Sequence, residues 1–211
     1  MSVMGGKDAE GKRLCTVLKY DPGEDCWSSV ESMPEERCAF GACVVGSDIY
    51  VLGGRNSTND ELNTVLRYNT EVDEWSTVAP MPEKKSALGV CVLGGMIYAV
   101  GGISSSDETL RSMYIYDPTS NAWSTVASMA TARADFGLFE LDGCIYAAGG
   151  YNDDDDTIAE VEMYDPGSAS WSAVSSMNQE RVAFGCCAVT LEVNLFDSMI
   201  AKAEARRSVV A

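Results

Sequence analysis

Residues 81–102, MPEKKSALGVCVLGGMIYAVGG, decide the fold. Two short runs rich in Val, Ile, Leu, Cys and Tyr stand on either side of Gly94-Gly95, and the doublet Gly101-Gly102 ends the second run. Short runs of this composition bounded by glycine read as two strands of a hairpin. The same device stands 48 residues earlier, as MPEERCAFGACVVGSDIYVLGG at residues 33–54. Two copies at one spacing point to a repeat architecture, and the rest of the chain follows the same spacing.

The four tryptophans, Trp27, Trp75, Trp123 and Trp171, are 48 residues apart, as are Tyr20, Tyr68, Tyr116 and Tyr164. So are Met33, Met81, Met129 and Met177, and Gly41, Gly89, Gly137 and Gly185. The doublets Gly5-Gly6, Gly53-Gly54, Gly101-Gly102 and Gly149-Gly150 complete the set, and a basic residue follows each methionine by four positions: Arg37, Lys85, Arg133 and Arg181. Within the second period Cys38 to Val45 reads as an inner strand and Asp48 to Gly53 as its hairpin partner, followed by Thr64 to Tyr68 and Glu74 to Val78. Asp or Asn directly after each tyrosine supplies the turn chemistry of a tight hairpin. No helical period persists before residue 195.

A four-stranded sheet cannot cover both its faces alone, so successive sheets must stack, and the repeated Tyr and Trp supply apolar area between neighbours. An aromatic ring burying roughly 150 to 250 Å² contributes on the order of 4 to 6 kcal/mol gross, before entropy. The glycine doublets fit places where the chain crowds its neighbours or takes positive φ. They match no phosphate-binding motif.

Composition narrows the function. Lys and Arg number 15 against 32 Asp and Glu, a formal charge of -17, which disfavours nucleic acid and anionic membranes as partners. Histidine is absent, removing Ser-His and Cys-His catalytic pairs and His-ligated metals. The longest apolar stretch, residues 89–102, is too short to span a bilayer, and the N-terminus has no signal-peptide pattern, so a cytoplasmic location is expected. Cys43, Cys91 and Cys187 lie in apolar runs and read as buried free thiols. No cofactor or metal site is expected: no CxxC pair occurs, and the carboxylate run Asp153 to Asp156 reads as a solvated loop, able to repel acidic partners or pair with Arg133.

The glycine doublet after an IYVLGG-type strand, the Tyr-Asp-Pro turn, the Trp seven residues after the Tyr and the Met-x-x-x-Arg before the next strand resemble the kelch repeat. The resemblance covers residues 1 to about 190 and is closest to kelch-like (BTB-kelch) proteins, whose full-length members carry BTB and BACK domains ahead of a six-bladed propeller. It implies an all-β propeller of about four blades of four antiparallel strands in an open or incomplete ring. The blades fall at about 1–33 with 182–190, 34–81, 82–129 and 130–177, with a divergent tail at 191–211 carrying a weak helix from about Asp197 to Arg207. A truncated or spliced product lacking BTB and BACK is the expectation, and with it no direct cullin binding.

In function, the resemblance implies a protein-binding module similar to the substrate-recognition propeller of cullin-based ubiquitin ligase adaptors, with actin binding as the alternative. A kelch-fold enzyme is the weaker reading, since a copper oxidase needs histidines. The family binds ligands over a rim that corresponds here to Lys7, Arg55, Asn56, Ser104, Ser105, Tyr151 and Asn152 in the loops after the doublets, and to Arg37, Lys85, Ser86, Arg133 and Arg181 between blades. Repeated cations around one axis would favour an acidic peptide loop; the other reading has them in ion pairs with neighbouring carboxylates.

Overall fold

A computed structural model describes residues 1–154 and 156–188. Those residues form fifteen strands and no helix. The first sheet holds β1 (Ser2–Met4), β2 (Val17–Asp21) and β3 (Cys26–Val30). The second holds β4 (Gly41–Val45), β5 (Asp48–Leu52), β6 (Val65–Asn69) and β7 (Glu74–Val78). The third runs through β8 (Gly89–Leu93), β9 (Met96–Val100), β10 (Met113–Asp117) and β11 (Ala122–Val126). The fourth consists of β12 (Gly137–Leu141), β13 (Cys144–Ala148), β14 (Val161–Asp165) and β15 (Ser170–Val174). Each strand pairs antiparallel with its sequence neighbour, the up-and-down order that short turns dictate.

The turns bear out the residue choices. Asp21, Asn69, Asp117 and Asp165 each accept a backbone N–H two residues on, at 2.8 to 2.9 Å, closing the loop between the outer two strands. The innermost strands β4, β8 and β12 lie side by side, and glycine is what lets them. A Cβ on Gly41 would stand 2.1 Å from Val90, and one on Gly89 would stand 2.8 Å from both Leu138 and Phe136. Three apolar clusters fill the layers between blades. Tyr98, Met113, Met129 and Tyr164 anchor one, Tyr50, Met81, Ile97 and Tyr116 the next, and Val17, Met33, Val51 and Leu66 the smallest.

Two expectations need correction. The inner strand expected from Cys38 starts at Gly41, because Ala39 takes φ +52° and breaks the extended run; Cys38 contributes only an isolated bridge to Arg55. The inner strand expected from Val182 is not formed in residues 182–188, and the first sheet therefore has three strands, with β1 paired to β2 alone among the described residues. The expected tail at 191–211 and its helix lie outside the described residues. No helix of the described residues is long and apolar enough to cross a membrane.

Candidate functional site: a loop rim over buried cations

The repeated cations are structural rather than peripheral. Arg37 is 0% exposed, and its guanidinium donates to the carbonyls of Gly53 (3.0 Å) and Thr64 (3.2 Å), to the Thr64 hydroxyl and to Glu35. Arg133 repeats the arrangement with Gly149 and Glu160 carbonyls, both at 3.0 Å, and with the Glu162 carboxylate at 2.7 Å. Glu162, itself buried, also accepts the backbone N–H groups of Ala130 and Thr131. Lys85, likewise enclosed, donates to Ser112 at 2.9 Å, pairs with Glu83 at 3.2 Å and sits over the Tyr114 ring. Burial pulls all three cations below their ordinary pKa, and the neighbouring carboxylates of Glu35, Glu83 and Glu162 work against that shift.

Arg37, Lys85, Arg133 and the buried Ser86 therefore present nothing to a partner, contrary to the rim assignment made from the resemblance. The physical reason is the strand ends. In the two arginine cases one guanidinium nitrogen donates to the doublet carbonyl of Gly53 or Gly149 and also to Thr64 or Glu160, whose carbonyl already accepts the doublet N–H, while Lys85 takes its place with Ser112 and Glu83 instead. Arg181 alone of the four is exposed, and among the described residues its side chain reaches only Gln179, at 3.5 Å.

The loops after the doublets do form a common rim, and the other predicted residues lie on it. Lys7 is exposed and bridges Arg13 through the backbone, while Arg55, Asn56, Ser104, Tyr151 and Asn152 are half-buried and Ser105 is exposed. Asn56 and Asn152 shape their loops, each accepting two backbone N–H groups within its own loop. Consecutive loops are tied together, a feature the repeat did not reveal because the partners differ at each joint. Arg13 donates to Asn59, Arg55 to Asp107 at 3.3 Å, and the Thr109 backbone N–H to Asp153 at 2.7 Å. Arg55 is further fixed by Glu61 at 2.7 Å. Asp153 thus pairs with Thr109 and not with Arg133, and these hydrogen bonds hold its carboxyl below the usual range.

Two polar grooves open on this rim. One of about 420 Å³ is lined by Asn56, Asp60, Glu61, Lys84, Ser105 and Asp107; the other, about 540 Å³, by Asn152, Asp156, Glu160 and Glu180 among others. Hydrogen bonds from Thr58 and Asn56 keep Asp60 below the usual carboxylate range, so it is charged at neutral pH. The second groove carries three carboxylates and no basic side chain among its described lining residues, whereas Lys84 and the Arg55 ion pairs offset part of the negative charge of the first.

Fanned antiparallel sheets stacked through glycine-lined inner strands, with a continuous loop rim, define a kelch-type propeller module. The model of the KLHDC2/KLHL20/DRC7 Kelch-repeats domain matches residues 1–196, and the chain belongs to that family. The solved structure of YjhT has the same fold, with a TM-score of 0.69 at 14% identity. The alignment covers 79% of this chain and 60% of that one, so the chain spans less than two thirds of that relative's length. The comparison with curated proteins returns no match.

Proposed function

We propose that this chain is a protein-recognition module that holds a basic peptide segment of its partner across the acidic grooves of the loop rim, in the manner of the substrate-recognition part of a ubiquitin ligase receptor. The observation that carries the reading is the groove on the fourth blade, where Asp156, Glu160 and Glu180 stand beside Asn152 with no basic side chain among the described lining residues, on a loop braced by the Asp153–Thr109 hydrogen bond. Braced loops lose little entropy on binding, and carboxylates in a concave site focus negative potential on a cationic ligand. An acidic partner loop loses its support, because the cations it would meet are enclosed. Family membership supports protein interaction as the class of function.

Fluorescence polarisation of the full chain against arrayed basic and acidic peptides tests this. Basic peptides are expected to bind, with affinity that falls as salt is raised. Neutralising the grooves with Asp60→Asn, Glu160→Gln and Glu180→Gln together should weaken binding at least about tenfold while leaving the unfolding curve in place. Preferential binding of acidic peptides, or undiminished binding by the neutralised variant, would overturn the reading.

A further inference from the structure

At the outer edge of the blades the clasp between neighbours repeats: Asp73 and Asn121 accept the N–H of Glu31 and Ala79 in the preceding blade, at 2.9 and 2.8 Å. On the loop rim it does not repeat. Lys7, Arg55 and Ile103 each form an antiparallel bridge with the residue six further on, and the flanking hydrogen bonds leave the N–H groups of Arg13, Glu61 and Thr109 unused by their own loops. Asp153 of the following blade takes the Thr109 N–H at 2.7 Å, and the Thr109 hydroxyl as well. One and two periods earlier, Ser105 and Ser57 hold the place of Asp153, and the N–H groups of Glu61 and Arg13 have no acceptor among the described residues. Both serines are exposed, and neither hydroxyl has a hydrogen-bond partner among those residues. A serine in two blades where a third uses a carboxylate marks a position that a phosphate can fill, with nearly two negative charges and three acceptor oxygens.

The two serines differ in what the repeat sets opposite them. For Ser105 the counterpart of Thr109 is the buried Glu61, which would repel a phosphate. For Ser57 it is Arg13. Arg13 already crosses the boundary, since its guanidinium donates to Asn59, two residues from Ser57, and its Nε to the Cys38 sulfur at 3.2 Å. It has no carboxylate partner among the described residues. The first loop adds Lys7 and Lys12 against Asp8 and Glu10, and Asp8 turns its carboxylate onto the Glu10 and Lys12 N–H groups of its own loop. In the second loop Asp60 accepts the Thr58 hydroxyl. After Ser57 the sequence runs Thr58-Asn59-Asp60-Glu61, which places carboxylates three and four residues beyond the free hydroxyl. A kinase with a basic substrate cleft selects such a segment by charge.

We propose that Ser57 is a phosphorylation site for a protein kinase that selects carboxylates beyond its acceptor, and that the phosphate fastens the second rim loop to the first through Arg13. In the transfer the Ser57 hydroxyl oxygen attacks the γ-phosphorus of a nucleoside triphosphate and an O–P bond forms. The bond from that phosphorus to the bridging oxygen breaks, the nucleoside diphosphate leaves with its electron pair, and the hydroxyl proton passes to a base of the kinase. The phosphate oxygens then accept the Arg13 N–H and guanidinium, as Asp153 accepts the N–H and hydroxyl of Thr109. The site is independent of the fourth-blade groove and of what binds there.

Incubation of the full chain with ATP and a purified kinase of this acid-directed class tests this. Phosphate is expected on Ser57, kept by Thr58→Val and lost by Ser57→Ala. Phosphorus NMR then reads the second phosphate pKa, ordinarily about 6, which should fall to about 5 or below beside Arg13 and return toward its ordinary value in Arg13→Gln. The urea midpoint should rise on phosphorylation of the parent, and rise less in Arg13→Gln. No phosphate on Ser57, or phosphate carried by Thr58 in its place, overturns the proposal. A phosphate on Ser57 whose pKa and effect on the midpoint are unchanged by Arg13→Gln overturns it too.

Discussion

At the scale of single residues, one position in the sequence carried two readings that only burial separates. A basic residue four after each methionine can face a partner or fill the blade, and the repeat alone gives the spacing without the direction. The structure turns Arg37 and Arg133 inward onto backbone carbonyls and a nearby Glu, and Lys85 onto Ser112 and Glu83, whereas Arg181, with no further sheet over it among the described residues, is exposed. Arg133→Ala would leave the buried Glu162 carboxylate without its counter-charge, held only by the Ala130 and Thr131 N–H groups, and a loss of about 3 to 5 kcal/mol is expected from the urea midpoint. Arg181→Ala, by contrast, should stay within about 0.5 kcal/mol of the parent, as surface changes do. Equal effects of the two substitutions would contradict the assignment. Thiols divide by the same criterion. Burial raises the pKa of Cys43 to about 12 and lifts that of Cys91 as well, while Cys187, expected inside from its apolar run, is exposed. Native-state labelling with a thiol reagent should therefore modify Cys26 and Cys187 quickly, Cys186 more slowly because its sulfur packs at Gly137 and burial raises its pKa, and Cys91 only on unfolding.

At the scale of elements, strands and turns were legible because their determinants are local: period-two apolar runs, glycine pairs, and an Asp or Asn after each Tyr. The inner-strand starts were misjudged by three residues because Ala39 and Ala87 adopt positive φ, a conformation that nothing in an alanine announces. Their reason is non-local, since each gives a backbone hydrogen bond to, or takes one from, its counterpart in the adjacent blade. The doublets could be read as special without knowing what crowds them. Gly101 sits at φ +57°, and a Cβ there would stand 2.6 Å from the Arg133 carbonyl. Gly101→Ala combines left-handed strain with a backbone clash and should destabilise by more than about 1 kcal/mol. Gly46→Ala, at φ +62° with open space around it, isolates the strain alone. The difference between their unfolding midpoints measures the crowding, and Gly101→Ala matching Gly46→Ala would show that no close approach exists.

At the scale of the whole molecule, stability is a sum of blade cores and blade-to-blade contacts, and several of those contacts hang on carboxylates. Asp73 is held below its ordinary pKa of 3.8 by the Tyr68 hydroxyl and then by the Glu31 N–H of the preceding blade. Asp153 is depressed by Thr109, also across a blade boundary. A carboxylate whose folded pKa lies below its unfolded value stabilises the fold fully above the unfolded value, and that contribution disappears as pH falls through the folded one. Both links should thus be intact at neutral pH and be lost below about pH 4, loosening the boundaries between the first and second and the third and fourth blades. Asp135 works in the opposite sense, since burial raises its pKa and protonation relieves it, but it makes no carboxylate link between blades. Asp73→Asn should flatten the acid limb of the stability curve, because Asn121 shows that an amide can hold the same pair of donors one blade further on. Urea midpoints from pH 7 to pH 2.5 decide the matter: parent and Asp73→Asn should differ by less at pH 2.5 than at pH 7. A constant difference across that range would mean that Asp73 does not titrate with folding, and that the outer clasp owes nothing to its charge.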